Sequence, residues 1–285
     1  MQIPIESLNL LMLNVGQAHH DGDRNWQNVN SPFTRIYYVT EGRARLHLPD
    51  QTVELHPEHL YIVPAYTTHS YECNEKFVHY YLHVYEGYKK ETDVFELYEF
   101  PIEVPAAEGD ALLFKLMCEK HPEARVPASD PRSYDNTSGF AADVKRYSEM
   151  PLHEKMALRG AILMLFSRFL QRAAPRVWTS NERLIRVLKY IHQNIYADIG
   201  IDTLADVACV TRPYLARLFK QHLGATPLQY INRKKMERAE LLLLTSDATV
   251  KETAYALGFN DHSYFIRLFK KVTGRTPQEY RKAMQ

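Results

Sequence analysis

The sequence predicts an α+β multidomain protein with an amino-terminal β-barrel, a helical segment and an all-α carboxyl-terminal domain made of two similar units. Three observations support this prediction: short β-rich runs in residues 33–86, an uneven distribution of charge, and a repeat with an offset of 50 residues. The chain has 285 residues and a domain has roughly 100–200, so two domains are expected.

The β-rich runs lie in the amino-terminal half and are separated by turn signals. They are Ile36–Val39, Arg43–Leu48, Thr52–Leu55, Leu60–Val63 and Phe77–Tyr85. Their spacing of roughly 8–12 residues is typical of a sandwich or a barrel, and a small barrel can enclose one ligand. Period-two alternation on the last run places one row of side chains on the same face: Phe77, His79, Tyr81, His83 and Tyr85. Such a row of aromatic and imidazole groups can bind a polar ring, or it can simply fill the barrel.

The helical segment contains one strongly apolar stretch, Leu152–Gln171. It has more apolar surface than one packing face requires, so we expect it to contact either a second copy of the chain or the barrel of its own chain. The segment Arg172–Ser180 is the expected linker. No apolar run reaches the roughly 18 residues of a membrane-spanning helix and no signal peptide is recognisable, so a cytoplasmic chain without a membrane partner is expected.

The charge differs in sign between the two parts of the chain. Residues 181–285 carry 17 Lys and Arg against 10 Asp and Glu, a net charge of +7, whereas residues 1–180 have a net charge of −6. Clustered positive charge is what binding to a phosphate backbone requires, although a solvated basic surface has the same composition. The three cysteines lie far apart, which favours a reducing compartment over a disulfide framework or a zinc site.

A repeat marks the carboxyl-terminal third. The heptapeptide Tyr214–Lys220 recurs as Tyr264–Lys270, and Gly224 and Thr226-Pro227 recur at the same offset. Apolar residues at helical spacing predict an amphipathic helix in each copy, and the glycine predicts its left-handed stop. The Thr-Pro pair predicts an N-cap and a first-turn proline for the next helix. The residues expected to be buried in the first copy are Leu215, Leu218, Phe219 and His222.

A short helix is predicted before each repeat, at Asp202–Ala208 and at Val250–Leu257. Two short helices joined by a turn of a few residues form a helix-turn-helix. The segment from Pro227 to about Leu244 predicts a connecting helix of about 27 Å. A rod of this length can hold two recognition helices near the roughly 34 Å that separates successive major-groove faces of DNA.

The face of each recognition helix opposite its buried stripe is expected to meet DNA. The first helix presents Pro213, Ala216, Arg217 and Lys220, and the second presents Ser263, Ile266, Arg267 and Lys270. Arginine suits a bidentate contact with guanine, whereas Ala216 and Ile266 can read only thymine methyls or DNA shape. The alternatives are that the arginines form salt bridges within the domain and that the lysines are solvated rather than bound to phosphate.

Two stretches, LADVACVTRPYLARLFKQHLGATPLQY and VKETAYALGFNDHSYFIRLFKKVTGRTPQEY, closely resemble the paired helix-turn-helix domain of the arabinose regulator (AraC/XylS) family. The resemblance covers about residues 181–285. It implies a homodimeric bacterial transcription factor whose partners are double-stranded DNA and RNA polymerase. The base contacts that it implies are Pro213, Ala216 and Arg217 in the first helix and His262, Ser263, Ile266 and Arg267 in the second.

The stretch YYVTEGRARLHLPDQTVELHPEHLYIVPAYTTHSYE resembles the cupin-like sensor domain of the same family. The resemblance implies that Tyr71, His79 and Tyr81 contact a small effector, either a sugar or another polar molecule. Metal-binding cupins carry an HxH pair and a later histidine, for which the nearest equivalents are His47, preceded by Arg45 rather than histidine, and His69. The pair is broken, so neither a metal nor another cofactor is expected.

These observations predict four segments: a cupin-like effector-binding barrel (residues 1–105), a helical dimerisation region (106–172), a linker (173–180) and a DNA-binding domain (181–285). The predicted function is that of a sequence-specific, effector-responsive transcription regulator that is not an enzyme. The alternative is enzymatic, either a cupin-type metalloenzyme or a DNA-repair fusion. Such a repair site needs four clustered thiolates, and the chain has three cysteines.

Overall fold

The computed structural model of the chain describes residue 5 and residues 8–86, 94–128, 130–135, 137–176, 181–246 and 248–282. The chain divides into two compact units, which are treated separately below. The amino-terminal unit comprises residues 9–87 and 99–174, and the carboxyl-terminal unit comprises residues 175–285 with 1–8 and 88–98. No helix in the described ranges is both long enough and apolar enough to cross a membrane.

The amino-terminal unit is rich in sheet. The described strands of the chain are β1 (Leu10–Asp21), β2 (Thr34–Gly42), β3 (Ala44–His47), β4 (Thr52–Leu55), β5 (His59–Val63), β6 (Ser70–Glu72), β7 (Lys76–Glu86), β8 (Tyr98–Glu99), β9 (Glu103–Pro105) and β10 (Ala174–Pro175). The division between the two units falls within β8 and within β10, and the other strands belong to the amino-terminal unit. Five of them form a sheet in the order β1-β7-β2-β5-β9, and three form a sheet in the order β4-β3-β6. The described strands thus form separate sheets rather than one closed sheet, and the cupin-like barrel stays a prediction.

The two sheets share one hydrophobic core. Tyr37, Tyr61 and Phe77 come from the larger sheet, and Leu46 and Tyr71 come from the smaller one. All five side chains are almost fully buried. The long strand β7 lies between β1 and β2 in antiparallel pairing, so its inward-facing side chains lie at the centre of the unit.

Three helices accompany the sheets: α2 (Asp110–Lys120), α3 (Thr137–Glu149) and α4 (Leu152–Leu170), while the short α1 (Val94–Leu97) belongs to the other unit. The predicted apolar helix matches α4 to within one residue. Its inner face is buried and packs on β1, β9 and α2 of its own unit, whereas Leu152, Met156 and Met164 are 73%, 66% and 51% exposed. The helix therefore covers its own sheet with one face and presents a second, exposed apolar face.

The carboxyl-terminal unit is helical. Its helices are α5 (Glu182–Gln193), α6 (Ile201–Ala208), α7 (Arg212–Leu223), α8 (Pro227–Thr245), α9 (Val250–Ala256), α10 (His262–Thr273) and α11 (Pro277–Lys282). The predicted stops and starts are present: Gly224 has a φ of 67°, and Thr226 and Gln229 form a reciprocal capping box at the start of α8. Thr276 and Glu279 repeat this pair of hydrogen bonds at α11.

The helix α8 contributes to two hydrophobic clusters. Its first half packs with α5, α6 and α7 through Tyr230 and Ile231, and its second half packs with α9 and α10 through Met236, Ala239 and Leu243. Each pair of short helices is thus fixed to one end of the same rod. The two pairs are therefore joined by a continuous, packed element rather than by a flexible loop.

A direct contact also joins the loop after α5 to the turn after α9. Gly258 has a φ of 69°, and a Cβ atom there would lie 2.5 Å from the backbone carbon of Ala197. The Nζ of Lys235 donates to the carbonyl oxygen of Ala197 at 2.7 Å, and the Nδ2 of Asn260 donates to Asp198 at 3.1 Å. Only glycine allows both the left-handed backbone and the close approach, so this position locks the two helix pairs together.

Candidate nucleic-acid interface and effector site

The helix α7 separates a buried stripe from an exposed face. Leu215, Leu218 and Phe219 are buried as predicted, because they face α5, α6 and α8. His222 is only half-buried, so its assignment to the stripe was wrong. It lies in the last turn of the helix.

The predicted contact residues of α7 lie on its opposite side. Pro213, Arg217 and Lys220 are exposed, and Ala216 is half-buried. The Arg217 guanidinium lies 5.2 Å from the ring centroid of Tyr214 and forms no ion pair with any described residue. The Nζ of Lys220 donates to a carbonyl oxygen at the helix end at 3.2 Å. Both cationic groups remain open to solvent.

The helix α10 presents an equivalent face. His262, Ser263, Arg267 and Lys270 are exposed, Ile266 is half-buried, and the opposite side carries the fully buried Phe265 and Phe269. This places the exposed arginine and lysine of the two helices at the same helical positions, as the repeat predicts. The nine predicted contact residues thus form two exposed or half-exposed faces in one unit.

The amino-terminal cap of α10 lies near the arginine on this face. The side chain of Asp261 accepts from the backbone N–H of Ser263 at 2.8 Å, and these cap hydrogen bonds hold the pKa of the carboxyl below its usual value. The Nη2 of Arg267 lies 3.9 Å from Asp261 Oδ2, and the two side chains are 68% and 61% exposed. An exposed pair at this distance contributes little, so the guanidinium remains available to another partner.

The predicted effector residues also converge. Tyr71 of β6 and His79 and Tyr81 of β7 line one internal cavity of the amino-terminal unit, which we call the sheet cavity, and all three are at most 5% exposed. The Tyr81 hydroxyl accepts from the backbone N–H of Val126 at 3.0 Å. The Tyr71 hydroxyl lies 2.8 Å from the Nε2 of His69. Both tyrosines, and His79 as described below, therefore already have internal partners, as core residues do.

The centre of the sheet cavity holds a residue that the sequence did not indicate. Arg24 is 3% exposed, and its Nη1 lies 2.8 Å from Nε2 and 3.2 Å from Nδ1 of His79. Its guanidinium carbon lies 4.1 Å from the ring centroid of Tyr71 and 5.1 Å from that of Tyr37. The remaining cavity volume is about 20 Å³, which is room for little more than one water molecule.

The imidazoles around Arg24 are neutral at physiological pH. Burial, followed by the positive charge of Arg24, lowers the pKa of His20 to about 4 and holds the pKa of His79 well below its usual value. Burial and the two arginines, Arg35 and Arg24, act on His83 in the same direction. Neutral imidazoles can both donate and accept, so the cavity wall offers hydrogen bonds without adding charge.

The two histidines that were considered as metal ligands have different surroundings. His47 is partly exposed and lies 3.0 Å from Glu72, while His69 is buried and contacts the carbonyl oxygen of Thr67 at 2.7 Å. A different set meets the geometric requirement for a cation: the ligand atoms of His56, His59 and Glu103 lie within 4.8 Å of one another. The sequence did not indicate this cluster, because its glutamate comes from a distant strand.

Comparisons with known proteins find similarity to part of this chain. A helix-turn-helix domain model matches residues 204–283. An HTH-type transcriptional regulator of Pseudoalteromonas carrageenovora is 37% identical over 109 residues, which is 38% of this chain and 64% of the relative. The HTH-type transcriptional activator RhaS of Enterobacter sp. (strain 638) is 32% identical over 36% of this chain and 37% of its own length.

A solved structure of an AraC-type transcriptional regulator from Chromobacterium violaceum is 28% identical, covers 37% of this chain and 95% of its own chain, and has a TM-score of 0.35. The carboxyl-terminal part of this chain is an AraC-type helix-turn-helix domain. The chain spans less than two thirds of the length of the two curated relatives. Those relatives are named as transcription regulators rather than enzymes, which agrees with the prediction.

Proposed function

We propose that this chain is a sequence-specific DNA-binding transcription regulator of the AraC/XylS family, in which the pairs α6–α7 and α9–α10 act as two helix-turn-helix units. The observation that carries the proposal is the repeated exposed face. Arg217 and Lys220 on α7 correspond to Arg267 and Lys270 on α10, each pair lies opposite a buried stripe, and the surrounding segment has a net charge of +7. Two equivalent basic faces on one packed unit are suited to adjacent segments of a major groove.

The residues of each face would contribute differently to binding. Arg217 and Arg267 would donate two hydrogen bonds to guanine, and the half-buried Ala216 and Ile266 would contact thymine methyls or sense DNA shape. The exposed lysines would neutralise phosphates, and phosphate contacts set position rather than sequence. The remaining proposed contact residues lie at the start of the two helices, where side chains reach base edges: Pro213, His262 and Ser263.

We infer further that the amino-terminal unit is a cupin-like sensor whose effector occupies the sheet cavity and contacts Tyr71, His79 and Tyr81. A ligand can regulate only if it binds one conformational state of the chain more tightly than another. The three side chains are buried and already have hydrogen-bond partners within the unit, so a ligand that enters the cavity must rearrange them. The ligand-bound and ligand-free states therefore differ in structure. A sugar or another small polar molecule is compatible with the aromatic and hydrogen-bonding wall.

We infer that the regulator is a cytoplasmic homodimer that acts with RNA polymerase. The exposed apolar face of α4, formed by Leu152, Met156 and Met164, supports a contact with a second copy. Dimerisation would raise the effective concentration of the second DNA-binding unit at paired sites.

The proposal is tested by selecting DNA from a random pool with the full chain and then measuring fluorescence anisotropy. We expect a selected sequence to bind at least 10³-fold more tightly than a scrambled one at physiological salt. The double variant Arg217→Ala with Arg267→Ala should lose this preference, while the variant Arg45→Ala in the other unit should retain it. Equal affinity for the selected and scrambled DNA would refute sequence-specific binding.

A further inference from the structure

Arg24 is a buried charge without a counter-ion in the described part of the chain. Its side chain is 3% exposed, yet no described carboxylate forms an ion pair with it. Its Nε is buried and has no hydrogen-bond partner, and its Nη1 contacts only the neutral ring of His79. Burial does not neutralise an arginine by removing its proton, because the guanidinium stays protonated in proteins.

Arg35 is a second buried arginine of the same unit, and its surroundings differ from those of Arg24. It is also almost fully buried, but its Nη2 lies 2.7 Å from Asp135 and 2.5 Å from the hydroxyl of Ser31, and its Nη1 donates to Tyr134 at 3.0 Å. A buried charge is tolerated when it is paired, and the ion pair with Asp135 does this for Arg35, although its Nε, like that of Arg24, has no hydrogen-bond partner in the ranges that the structure describes. Arg24 is buried without such an ion pair among the described residues, which leaves its charge available to a bound group.

The surroundings of Arg24 fit an anion rather than a neutral group. The guanidinium carbon lies 4.1 Å from the ring centroid of Tyr71, and the Nε has no hydrogen-bond partner among the described residues. Trp26 lines the same cavity and is only partly buried. A planar fork of donors of this kind matches the two oxygens of a carboxylate.

We propose that the sheet cavity binds a small organic carboxylate and that Arg24 is the residue that holds the carboxylate group. This inference rests on the proposed effector function and deepens it, because it assigns the effector to the organic acids rather than to neutral sugars. The carboxylate accepts hydrogen bonds from Arg24, and the neutral His79 stays within hydrogen-bonding distance. The ring of Tyr71 supports the guanidinium from its face, and the carbon skeleton of the ligand packs on the aromatic wall.

The test uses formate, the smallest organic carboxylate, because the cavity of about 20 Å³ requires the least rearrangement for the smallest ligand. The chain has two tryptophans, Trp26 and Trp178, so a Trp178→Phe background makes Trp26 fluorescence the signal of binding in the full-length protein. Formate, formamide and chloride are titrated at equal ionic strength. We expect formate to bind at least tenfold more tightly than the isosteric formamide, with no saturable response to chloride.

Two variants complete the test. Arg24→Gln should remove the preference for formate over formamide, whereas Arg45→Gln, which removes an exposed positive charge from the same unit, should leave it unchanged. Arg24→Lys should retain a reduced preference for formate, because a lysine keeps the charge but not the fork of donors. Equal affinity for formate and formamide in the unchanged chain, or a preference that persists in Arg24→Gln, would overturn the proposal.

The unchanged chain decides the outcome even if Arg24→Gln does not fold. The measurement also needs no DNA, so its result is independent of the regulator proposal. A chain that binds formate through Arg24 but selects no DNA would contradict the regulator proposal alone. A chain that selects DNA but does not distinguish formate from formamide would contradict the carboxylate site alone.

Discussion

Replacing Arg267 by alanine should weaken binding to the selected DNA without weakening the fold. Within the described structure the guanidinium has one charged neighbour, Asp261 at 3.9 Å, and both side chains are more than 60% exposed. Such a pair contributes about 0–1 kcal/mol. A lost bidentate contact with guanine costs about 1–3 kcal/mol, which is roughly a 5- to 150-fold loss of affinity. The loss should therefore appear in DNA binding rather than in the free energy of unfolding.

The measurement is fluorescence anisotropy at one fixed salt concentration, with the selected DNA and its single-base variants, beside a urea unfolding curve for each protein. Arg267→Ala should bind the DNA that is changed at one particular base pair as tightly as it binds the selected sequence, because the side chain that contacted that base pair is absent. Arg275→Ala removes the same charge from an exposed position in the loop between α10 and α11 and serves as the control. Unchanged affinity, or an equal loss on every DNA sequence, would refute the reasoning.

The remaining predictions concern charge, packing, assembly and pH. Lys270→Ala should weaken binding to all DNA sequences alike and reduce the slope of log K against log salt by about 1; a loss confined to one sequence would mean that the lysine reads bases. Gly258→Ala should destabilise the chain in urea by about 2–5 kcal/mol, because strain and a clash with the backbone 2.5 Å away add together. Gly274→Ala, where a Cβ meets nothing within 4 Å, should lose only about 1–2 kcal/mol, and equal losses would contradict the clash. Met156→Glu should shift the mass by light scattering from dimer to monomer, and an unchanged dimer would exclude the exposed face of α4. Burial raises the pKa of Glu240 to about 7 from 4.5, so the folded state keeps a proton that the unfolded state releases. Stability in urea should therefore fall as the pH rises from about 4.5 to about 7, and Glu240→Gln should flatten this fall; a slope that persists in the variant would assign it to another group.

The helices of the carboxyl-terminal unit could be predicted closely because their signals are local. The stop at Gly224 and the capping box of Thr226 depend on residues within one turn of each other. The stripe on α7 follows from a period of 3.6 residues, and the prediction fails only at His222, which is half-buried in the last turn. Local signals of this kind are present in the sequence before any tertiary contact forms.

The amino-terminal unit was predicted less completely because its features depend on distant residues. The strand β1 was missed, since it is buried on both faces along most of its length and shows no alternation of apolar and polar residues. Arg24 follows that strand in a loop and is buried by β6 and β7, which lie about 50 residues further along the chain. Nothing near it in the sequence distinguishes it from a solvated surface arginine.

The contact between Gly258 and Ala197 has a consequence for the evolution of promoters. On the proposed function, this contact and the rod α8 allow one protomer to engage its two groove segments at a single rotational phase. One inserted base pair between those segments turns one relative to the other by roughly 35°, which a locked protein cannot follow. The bases of the binding site can therefore differ from one target promoter to another, while the number of base pairs between the two groove segments stays the same in all of them.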